Sequence, residues 1–225
     1  MKATAVIPAY NEAARIERVL SAVAESDLID QIIVVDDGSR DETAKVAGAH
    51  NGAVVVRLRR NQGKAGALEA GVKRARNPVV VFLDADLIGL TDHHVDDLVA
   101  PVLRGDADMT VGQFWSGSPF VTAWMRFCPA ISGQRAMRAA DFLAIPKVAT
   151  SGFGVEVVVT KYALNKRLRI KYVHLPNITH VVKESKRGVL PGLASRAVMY
   201  GQILRCTLRN GHHQPLETAE ERDQG

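Results

Sequence analysis

Two aspartates that follow a short apolar run have the residue type and spacing for metal chemistry. Asp84 and Asp86 come directly after Val79–Leu83, a β-rich run that predicts a buried strand. Side chains alternate along an extended segment, so we expect both carboxylates to point the same way at the end of the strand. Carboxylate oxygens suit Mg2+ or Mn2+, which keep positions open for a diphosphate. Solvated loop acids are the alternative for an Asp-x-Asp sequence taken alone.

Three earlier segments also place polar residues directly after predicted strands. These segments are Pro8–Glu12, Asp36–Ser39 and Asn61–Lys64. Ligands of open α/β sheets bind beyond the carboxyl ends of the strands, so the three turns are well placed for one ligand. The acids of the second segment can accept hydrogen bonds from a base or ribose, and Lys64 can reach a diphosphate. Ordinary turns and helix caps are the alternative for each segment by itself.

The apolar periodicity predicts an α/β fold. Short β-rich runs alternate with helical patterns, which argues for a mostly parallel central sheet with helices on both faces. The predicted strands in the first half are Ala3–Ile7, Ile32–Val35, Ala53–Leu58, Val79–Leu83 and Ala107–Val111. In the second half we expect helices over Arg135–Phe142, Val155–Leu164 and Leu190–Leu208, and extended chain over Arg169–Leu175 and Ile178–Val182.

In their order and spacing, the four strand-end segments resemble the family 2 glycosyltransferases of GT-A fold, including polyprenyl-phosphate sugar synthases and phosphoglycerate glycosyltransferases. The resemblance covers residues 1–112 closely and the rest loosely. It implies one GT-A-like domain over residues 1–211, in which 1–112 bind a nucleotide sugar and 113–211 bind an acceptor, followed by a polar tail over 212–225. It also implies a UDP- or GDP-linked sugar donor and Mg2+ or Mn2+ as cofactor.

The resemblance further implies roles for single residues. The expected nucleoside contacts are Pro8, Tyr10, Glu12 and Asp36 or Asp37. Asp84, Ala85 and Asp86 would hold the donor diphosphate through the metal, and Asp86 would thereby serve catalysis, because the cation neutralises charge on the departing nucleoside diphosphate. His180 looks similar to the late histidine that joins the metal site in the related phosphoglycerate enzymes. A packing or surface histidine is the alternative for His180.

The second half of the chain is strongly basic. Residues 126–211 contain 15 Lys and Arg against 3 Asp and Glu, in a chain with a net charge of +5. This excess predicts an anionic partner, and we expect a phosphate-bearing acceptor, either polyprenyl phosphate or a small phospho-acid. The candidate acceptor contacts are Arg135, at a predicted helix start, and Lys183, Lys186 and Arg187. A solvated basic surface is the alternative, and nucleic acid is not expected because no recognition motif is present.

The general base and the reaction outcome are less well defined by the sequence. Family members often carry the base in a Glu-Asp pair, but here Val157 follows the candidate Glu156. Glu156 is either a catalytic base or a salt-bridge partner, and the sequence does not favour one of these roles over the other. Inversion and retention of the sugar configuration also stay open. The alternative functions are a nucleotidyltransferase, which would need a basic Gly-rich loop after the first strand, and a non-catalytic sugar-nucleotide-binding protein.

Cysteine usage and hydropathy predict a cytoplasmic location. Cys128 and Cys206 give no disulfide framework, which is typical of a reducing compartment. The first residues lack the organisation of a signal peptide, and no run is long and apolar enough to span a bilayer. Peripheral contact with the inner membrane face and a homodimer are left open.

Overall fold

The structure, a computed structural model, describes residues 1–114, 132–146 and 154–180. Its strands are β1 (Ala3–Ala9), β2 (Ile29–Asp36), β3 (Ala53–Arg57), β4 (Val79–Phe82), β5 (Leu87–Ile88), β6 (Met109–Phe114), β7 (Arg135–Arg138), β8 (Ile170–Leu175) and β9 (Thr179–His180). Its helices are α1 (Ile16–Ala24), α2 (Thr43–Ala49), α3 (Gly63–Val72), α4 (Asp92–Arg104), α5 (Ala139–Leu143) and α6 (Val155–Asn165). This alternation of strands and helices confirms the predicted α/β class.

Seven strands form the central sheet, in the order β3-β2-β1-β4-β7-β6-β8. β1 pairs in parallel with β2 and β4, and β2 pairs in parallel with β3, so these four strands end side by side. β7 runs antiparallel between β4 and β6, and β8 pairs in parallel with β6. The sheet is therefore mostly parallel, as predicted. β5 and β9 form a separate two-stranded ribbon.

Side chains alternate between two hydrophobic cores, one on each face of the sheet. On β1, Ile7 belongs to one core and Val6 to the other. Helices α1 and α4 contribute to the first core, and α3 and α6 contribute to the second. Strands buried on both faces read as continuous apolar runs, which is why the sequence predicts them. The helices cover both faces, as predicted, and the polar turns are left to the ends of the strands.

The predicted helix over Arg135–Phe142 is wrong in its first half. Arg135–Arg138 forms β7, which pairs with β4 on one side and β6 on the other, and only Ala139–Leu143 is helical. Backbone hydrogen bonds to two neighbouring strands satisfy this segment, and such non-local pairing overrides a local helical pattern. The helix predicted over Val155–Leu164 is confirmed. The helix predicted over Leu190–Leu208 lies outside the described residues.

The described residues all belong to one compact unit, Met1–Gly188. Among them, no helix has the length and apolar character needed to cross a membrane. The predicted boundaries at residues 112 and 211 stay predictions.

Candidate active site at the ends of the parallel strands

Hydrogen bonds join the loops that follow β1 and β2. Asn11 N donates to Ser39 Oγ at 3.0 Å, and Asn11 Oδ1 accepts from Arg40 N at 2.9 Å. Asn11 has a φ of 56°, a left-handed conformation in which asparagine is enriched. Glu12 N donates to Thr43 Oγ1 at 2.8 Å. The two segments predicted to bind a nucleoside therefore form one connected surface.

Three of the predicted nucleoside contacts lie at the end of β1 and on the loop after it, and they differ in exposure. Tyr10 is 39% exposed, which leaves its ring available for stacking, and Pro8 is half-buried. Glu12 is 4% exposed, and its Oε2 accepts from Arg15 Nη1 at 2.8 Å. Of the three, Tyr10 therefore has a side chain that a ligand can reach without rearrangement.

Asp36 is completely buried at the end of β2. Its Oδ1 accepts from Ser39 N at 3.0 Å. Arg57 Nε lies 3.2 Å from Asp36 Oδ2, yet no described residue donates a hydrogen bond to that oxygen. A buried acceptor without a donor costs free energy and is rare in native proteins, and a donor from a ligand would satisfy it.

Asp37 anchors the start of α3. Its two carboxylate oxygens accept from Gln62 N at 2.7 Å and from Gly63 N at 2.9 Å. Burial raises the pKa of Asp37 above its ordinary 3.8, against the lowering effect of these two backbone N–H groups, and the charge of Asp36 raises it further. A carboxylate at a helix N-terminus is favoured by the helix dipole. Asp37 thus positions α3, and its direct contact with a nucleoside stays a prediction.

Lys64, near the start of α3, bridges two acids from other elements. Its Nζ lies 2.5 Å from Asp84 Oδ1 and 2.8 Å from Glu156 Oε1. We call Lys64, Asp84 and Glu156 the site cluster; their side chains are 32%, 20% and 19% exposed. Burial lowers the pKa of Lys64, but the two carboxylates outweigh it and hold the pKa above its ordinary 10.5. Glu156 therefore has a salt-bridge partner, and its action as a base stays a prediction.

The loop before β7 closes tightly over the site cluster. Gln134 Nε2 donates to Asp84 Oδ2 at 3.0 Å. A Cβ atom at Gly133 would lie 2.5 Å from Lys64 Nζ and 2.8 Å from Asp84 Oδ2, so glycine alone fits without displacing them. The sequence assigns no role to either residue, because it predicts a helix start here, at which Arg135 is the candidate acceptor contact.

Arg135 lines the same small cleft as Lys64 and Glu156. It is 1% exposed, and its guanidinium donates to Ser132 O and to Thr160 Oγ1, both at 2.9 Å. Burial lowers the pKa of Arg135 to about 10, so the group stays charged at neutral pH. Its predicted place at a helix start is wrong, because Arg135 begins β7. A contact between Arg135 and an acceptor phosphate stays a prediction.

The two predicted metal ligands lie in a turn. β4 ends at Phe82, so Asp84 and Asp86 belong to the connection between β4 and β5, where an extended strand was expected. Both are partly buried, and Ala85 between them is 3% exposed. Asp84 already faces a cation, the ammonium of Lys64. Two partly buried carboxylates in one turn, one of them turned to a cation, fit a hard divalent ion such as Mg2+ or Mn2+.

The β5–β9 ribbon brings the third predicted ligand close to this turn. The backbone of His180 pairs with Leu87, the residue that follows Asp86. The side chain of His180 lies outside what the structure describes, as do Lys183, Lys186 and Arg187. Within the part of the chain that is described, no three His, Cys, Asp or Glu side chains form a ready metal site. The role of His180 as a ligand stays a prediction.

Residues 4–161 match the protein family described as Glycosyl transferase family 2. The chain belongs to glycosyl transferase family 2. The match spans all four strand-end segments and the first part of α6, and it confirms the family predicted from those segments.

Two curated relatives share part of their length with this chain. Glucosyl-3-phosphoglycerate synthase of Mycobacterium tuberculosis is 36% identical over 118 residues, which are 49% of this chain and 36% of that protein. Undecaprenyl-phosphate 4-deoxy-4-formamido-L-arabinose transferase of Pseudomonas aeruginosa is 41% identical over 91 residues, which are 36% of this chain and 27% of that protein. The matched segments thus cover about a third of the first relative and about a quarter of the second.

A solved structure has the same fold. It is glucosyl-3-phosphoglycerate synthase from Mycobacterium tuberculosis in complex with Mn2+, UDP-glucose and phosphoglyceric acid. The TM-score is 0.68 at 27% identity, and the match covers 93% of this chain and 79% of that chain. This likeness confirms the predicted GT-A-like fold.

Proposed function

We propose that this chain is a metal-dependent glycosyltransferase that moves a sugar from a UDP-linked donor to a phosphate-bearing acceptor. The observation that carries the proposal is the site cluster, in which residues of three separate elements meet at the ends of the parallel strands. Membership of family 2 favours sugar transfer over the nucleotidyltransferase considered from the sequence. UDP is preferred to GDP because a similar structure contains UDP-glucose.

The nucleoside would bind along the joined loops after β1 and β2. Tyr10 offers an exposed ring for stacking on the base. Asp36 Oδ2, which is buried and forms an ion pair with Arg57, would accept from a base N–H or a ribose hydroxyl only after a local rearrangement. Pro8 and Glu12 would shape this surface. Asp37 would act indirectly, because its carboxylate fixes the helix that carries Lys64.

Asp84 and Asp86, together with His180, would hold Mg2+ or Mn2+, for which two carboxylates and an imidazole are suitable ligands. When bound, such a cation neutralises the charge that builds on the departing UDP. Gln134 orients Asp84 from one side, and the buried side chain of Ala85 fixes the turn between the two acids. Lys64 is close enough to this turn to bind the diphosphate.

The acceptor would enter from the basic second half of the chain. The names of both relatives contain a phosphate-bearing acceptor or product, phosphoglycerate in one and undecaprenyl phosphate in the other. We propose that Arg135, Lys183, Lys186 and Arg187 favour such an acceptor by their charge. A phosphate or carboxylate oxygen is ionised at neutral pH, so a reaction at such an oxygen needs little help from a base, and Glu156 is free to hold Lys64.

Mass spectrometry of the products tests this proposal. The chain is incubated with Mn2+, UDP-glucose and either 3-phosphoglycerate or undecaprenyl phosphate, with GDP-glucose and excess chelator as parallel arms. We expect one acceptor to gain a hexose from the UDP-linked donor and the product to disappear with chelator. Binding of UDP-glucose without transfer to any acceptor would favour the non-catalytic alternative. The cytoplasmic location, the membrane contact and the homodimer stay predictions.

A further inference from the structure

The ammonium group of Lys64 is in direct contact with a predicted metal ligand. It lies 2.5 Å from Asp84 Oδ1, while Asp84 Oδ2 accepts from Gln134 Nε2 at 3.0 Å. Both oxygens of Asp84 therefore have partners from the chain itself. A divalent cation that binds Oδ1 must take the place of the lysine at that oxygen, because two cations at one such position repel each other strongly.

The structure holds Lys64 in this contact from three sides. Asp37 fixes the start of α3 through Gln62 N and Gly63 N, which sets the root of the lysine side chain. Glu156 attracts the ammonium from α6 at 2.8 Å. Gly133 leaves the space that the ammonium occupies. Because several parts of the chain hold Lys64 in this contact, its ammonium is more restricted than that of a surface ion pair.

We propose that Lys64 is an exchangeable internal cation that occupies the metal-binding carboxylate of Asp84 until metal and donor arrive together. This inference rests on the proposed function. Without donor, Lys64 stays on Asp84 and opposes the binding of the metal. The diphosphate of the donor supplies a new anionic partner for the lysine, so that Asp84 is released to the metal.

A coupling between two ligands follows from this exchange. The donor strengthens metal binding in part by removing Lys64 from Asp84, and by linkage the metal strengthens donor binding to the same degree. The long, flexible stem and compact charge of a lysine suit such an exchange, because the ammonium can change partners without backbone movement. The lysine thereby weakens binding of the cation in the absence of a diphosphate, so that firm binding is limited to the state with donor present.

The affinity for Mn2+ in the absence of nucleotide tests the proposal. We compare the wild type with Lys64→Met by isothermal titration, each with and without UDP. We expect Lys64→Met to bind Mn2+ alone about tenfold more tightly, a coupling of ordinary size. We also expect UDP to raise Mn2+ affinity by a smaller factor in Lys64→Met than in the wild type. Unchanged or weaker binding of Mn2+ alone to the variant would overturn the proposal.

Two further variants keep the result interpretable. Lys73→Met removes another ion-paired lysine, directly after α3, whose Nζ lies 2.5 Å from Glu69 Oε1 on the surface, and we expect it to leave Mn2+ affinity unchanged. Lys64→Gln keeps a polar side chain of similar length, and it must also bind Mn2+ more tightly if Lys64→Met does not fold. A merely structural lysine would lower the thermal stability of both Lys64 variants without changing Mn2+ affinity.

The outcome separates this proposal from the proposed function. Tighter Mn2+ binding in the Lys64 variants supports the exchange even if no acceptor is found. Sugar transfer by the wild type together with unchanged Mn2+ affinity in both Lys64 variants would refute the exchange alone.

Discussion

Two clusters of three charges lie at opposite ends of the central sheet. In the site cluster, the ammonium of Lys64 lies between two carboxylates at the ends of the parallel strands. In the basal cluster (Asp108, Arg138, Arg169), one carboxylate lies between two guanidinium groups, where β6 and β8 begin. The site cluster has one cation and two anions, whereas the basal cluster has one anion and two cations. Comparing variants of the two clusters therefore separates effects on stability from effects on ligand binding.

The basal cluster joins two strands by complementary geometry. Arg169 Nε and Nη2 each donate to a different oxygen of Asp108 at 3.0 Å, and Arg169 N also donates to Asp108 Oδ2 at 2.9 Å. These hydrogen bonds hold the pKa of Asp108 below its ordinary 3.8. A planar guanidinium bound through both oxygens is specific and hard to replace. The basal cluster is therefore built to remain closed.

The site cluster differs because a single ammonium is shared. Lys64 divides its charge between Asp84 and Glu156, and its stem is flexible. Removal of one contact leaves the other in place. The two clusters thus hold their carboxylates differently: Arg169 binds both oxygens of Asp108, whereas Lys64 contacts one oxygen of Asp84.

The largest effect is expected when one carboxylate of each cluster is neutralised. Asp84→Asn should lower kcat/KM for sugar transfer at least about a hundredfold, because the site loses a charged ligand of the cation that stabilises the leaving group. Asp108→Asn should stay within about twofold of the wild type, since it lies at the other end of the sheet. Rates of UDP release measure both. Equal losses in the two variants would contradict the division between the clusters.

Removal of one cation from each cluster should reveal a difference in stability. Lys64→Met leaves two carboxylates, each about one fifth exposed, without their salt-bridge partner and should cost about 2 kcal/mol of unfolding free energy. Arg169→Met removes a side chain that is 59% exposed and should cost less than that, because exposed ion pairs contribute little to stability. Urea unfolding in the presence of chelator measures both. A larger loss for Arg169→Met would reverse the comparison.

A methyl group beside the site cluster should impair catalysis more than folding. Gly133→Ala places a Cβ 2.5 Å from Lys64 Nζ and should reduce sugar transfer by about tenfold or more through misplacement of the charges. Gly48→Ala is the matched control, because its Cβ meets only Val55 Cγ2 at 3.8 Å, an ordinary contact. Steady-state kinetics and thermal unfolding of the two variants test this. Wild-type transfer by Gly133→Ala would show that the close approach has no catalytic role.

The smallest effect concerns pH and the basal cluster. The folded state lowers the pKa of Asp108, so its stabilising contribution is complete above the ordinary 3.8 and is lost as pH falls through the lower folded value. Asp108→Asn should therefore cost about 1 kcal/mol near neutral pH and progressively less in acid. Urea unfolding at several pH values measures this difference. A difference that stays constant down to the acid limit would exclude the charged carboxylate as its source.

The sequence predicts the first half of the fold well because information there is local. Each parallel strand is a continuous apolar run that ends in a polar turn, and the strand order brings Pro8–Glu12, Asp36–Ser39 and Asn61–Lys64 to one end of the sheet. The strand at Arg135–Arg138 was missed because its structure depends on pairing with β4 and β6, which local periodicity does not encode.

The sequence predicts which residues belong to the site better than it predicts the contacts among them. Lys64, Asp84 and Glu156 were each candidates, but the bridge between α3 and α6 joins residues far apart in the chain and is visible only once the elements have packed. The sequence predicts Asp36 or Asp37 as a nucleoside contact but does not show that the carboxylate of Asp37 accepts from the backbone at the start of α3, because turn acids and helix caps have the same sequence pattern. The need for glycine at position 133 follows only from the close approach of Lys64 and Asp84, which the sequence does not reveal.

Calorimetric titration with UDP tests whether a metal held by the acids after β4 supports nucleotide binding. Wild type and Asp86→Ala are each titrated with UDP, with and without Mn2+. We expect the wild type to bind UDP far more tightly with Mn2+ than with chelator, and we expect Asp86→Ala to lose this dependence. Equal UDP affinity with and without Mn2+ in the wild type, or an undiminished effect of Mn2+ in Asp86→Ala, would contradict a metal held by the acids that follow β4.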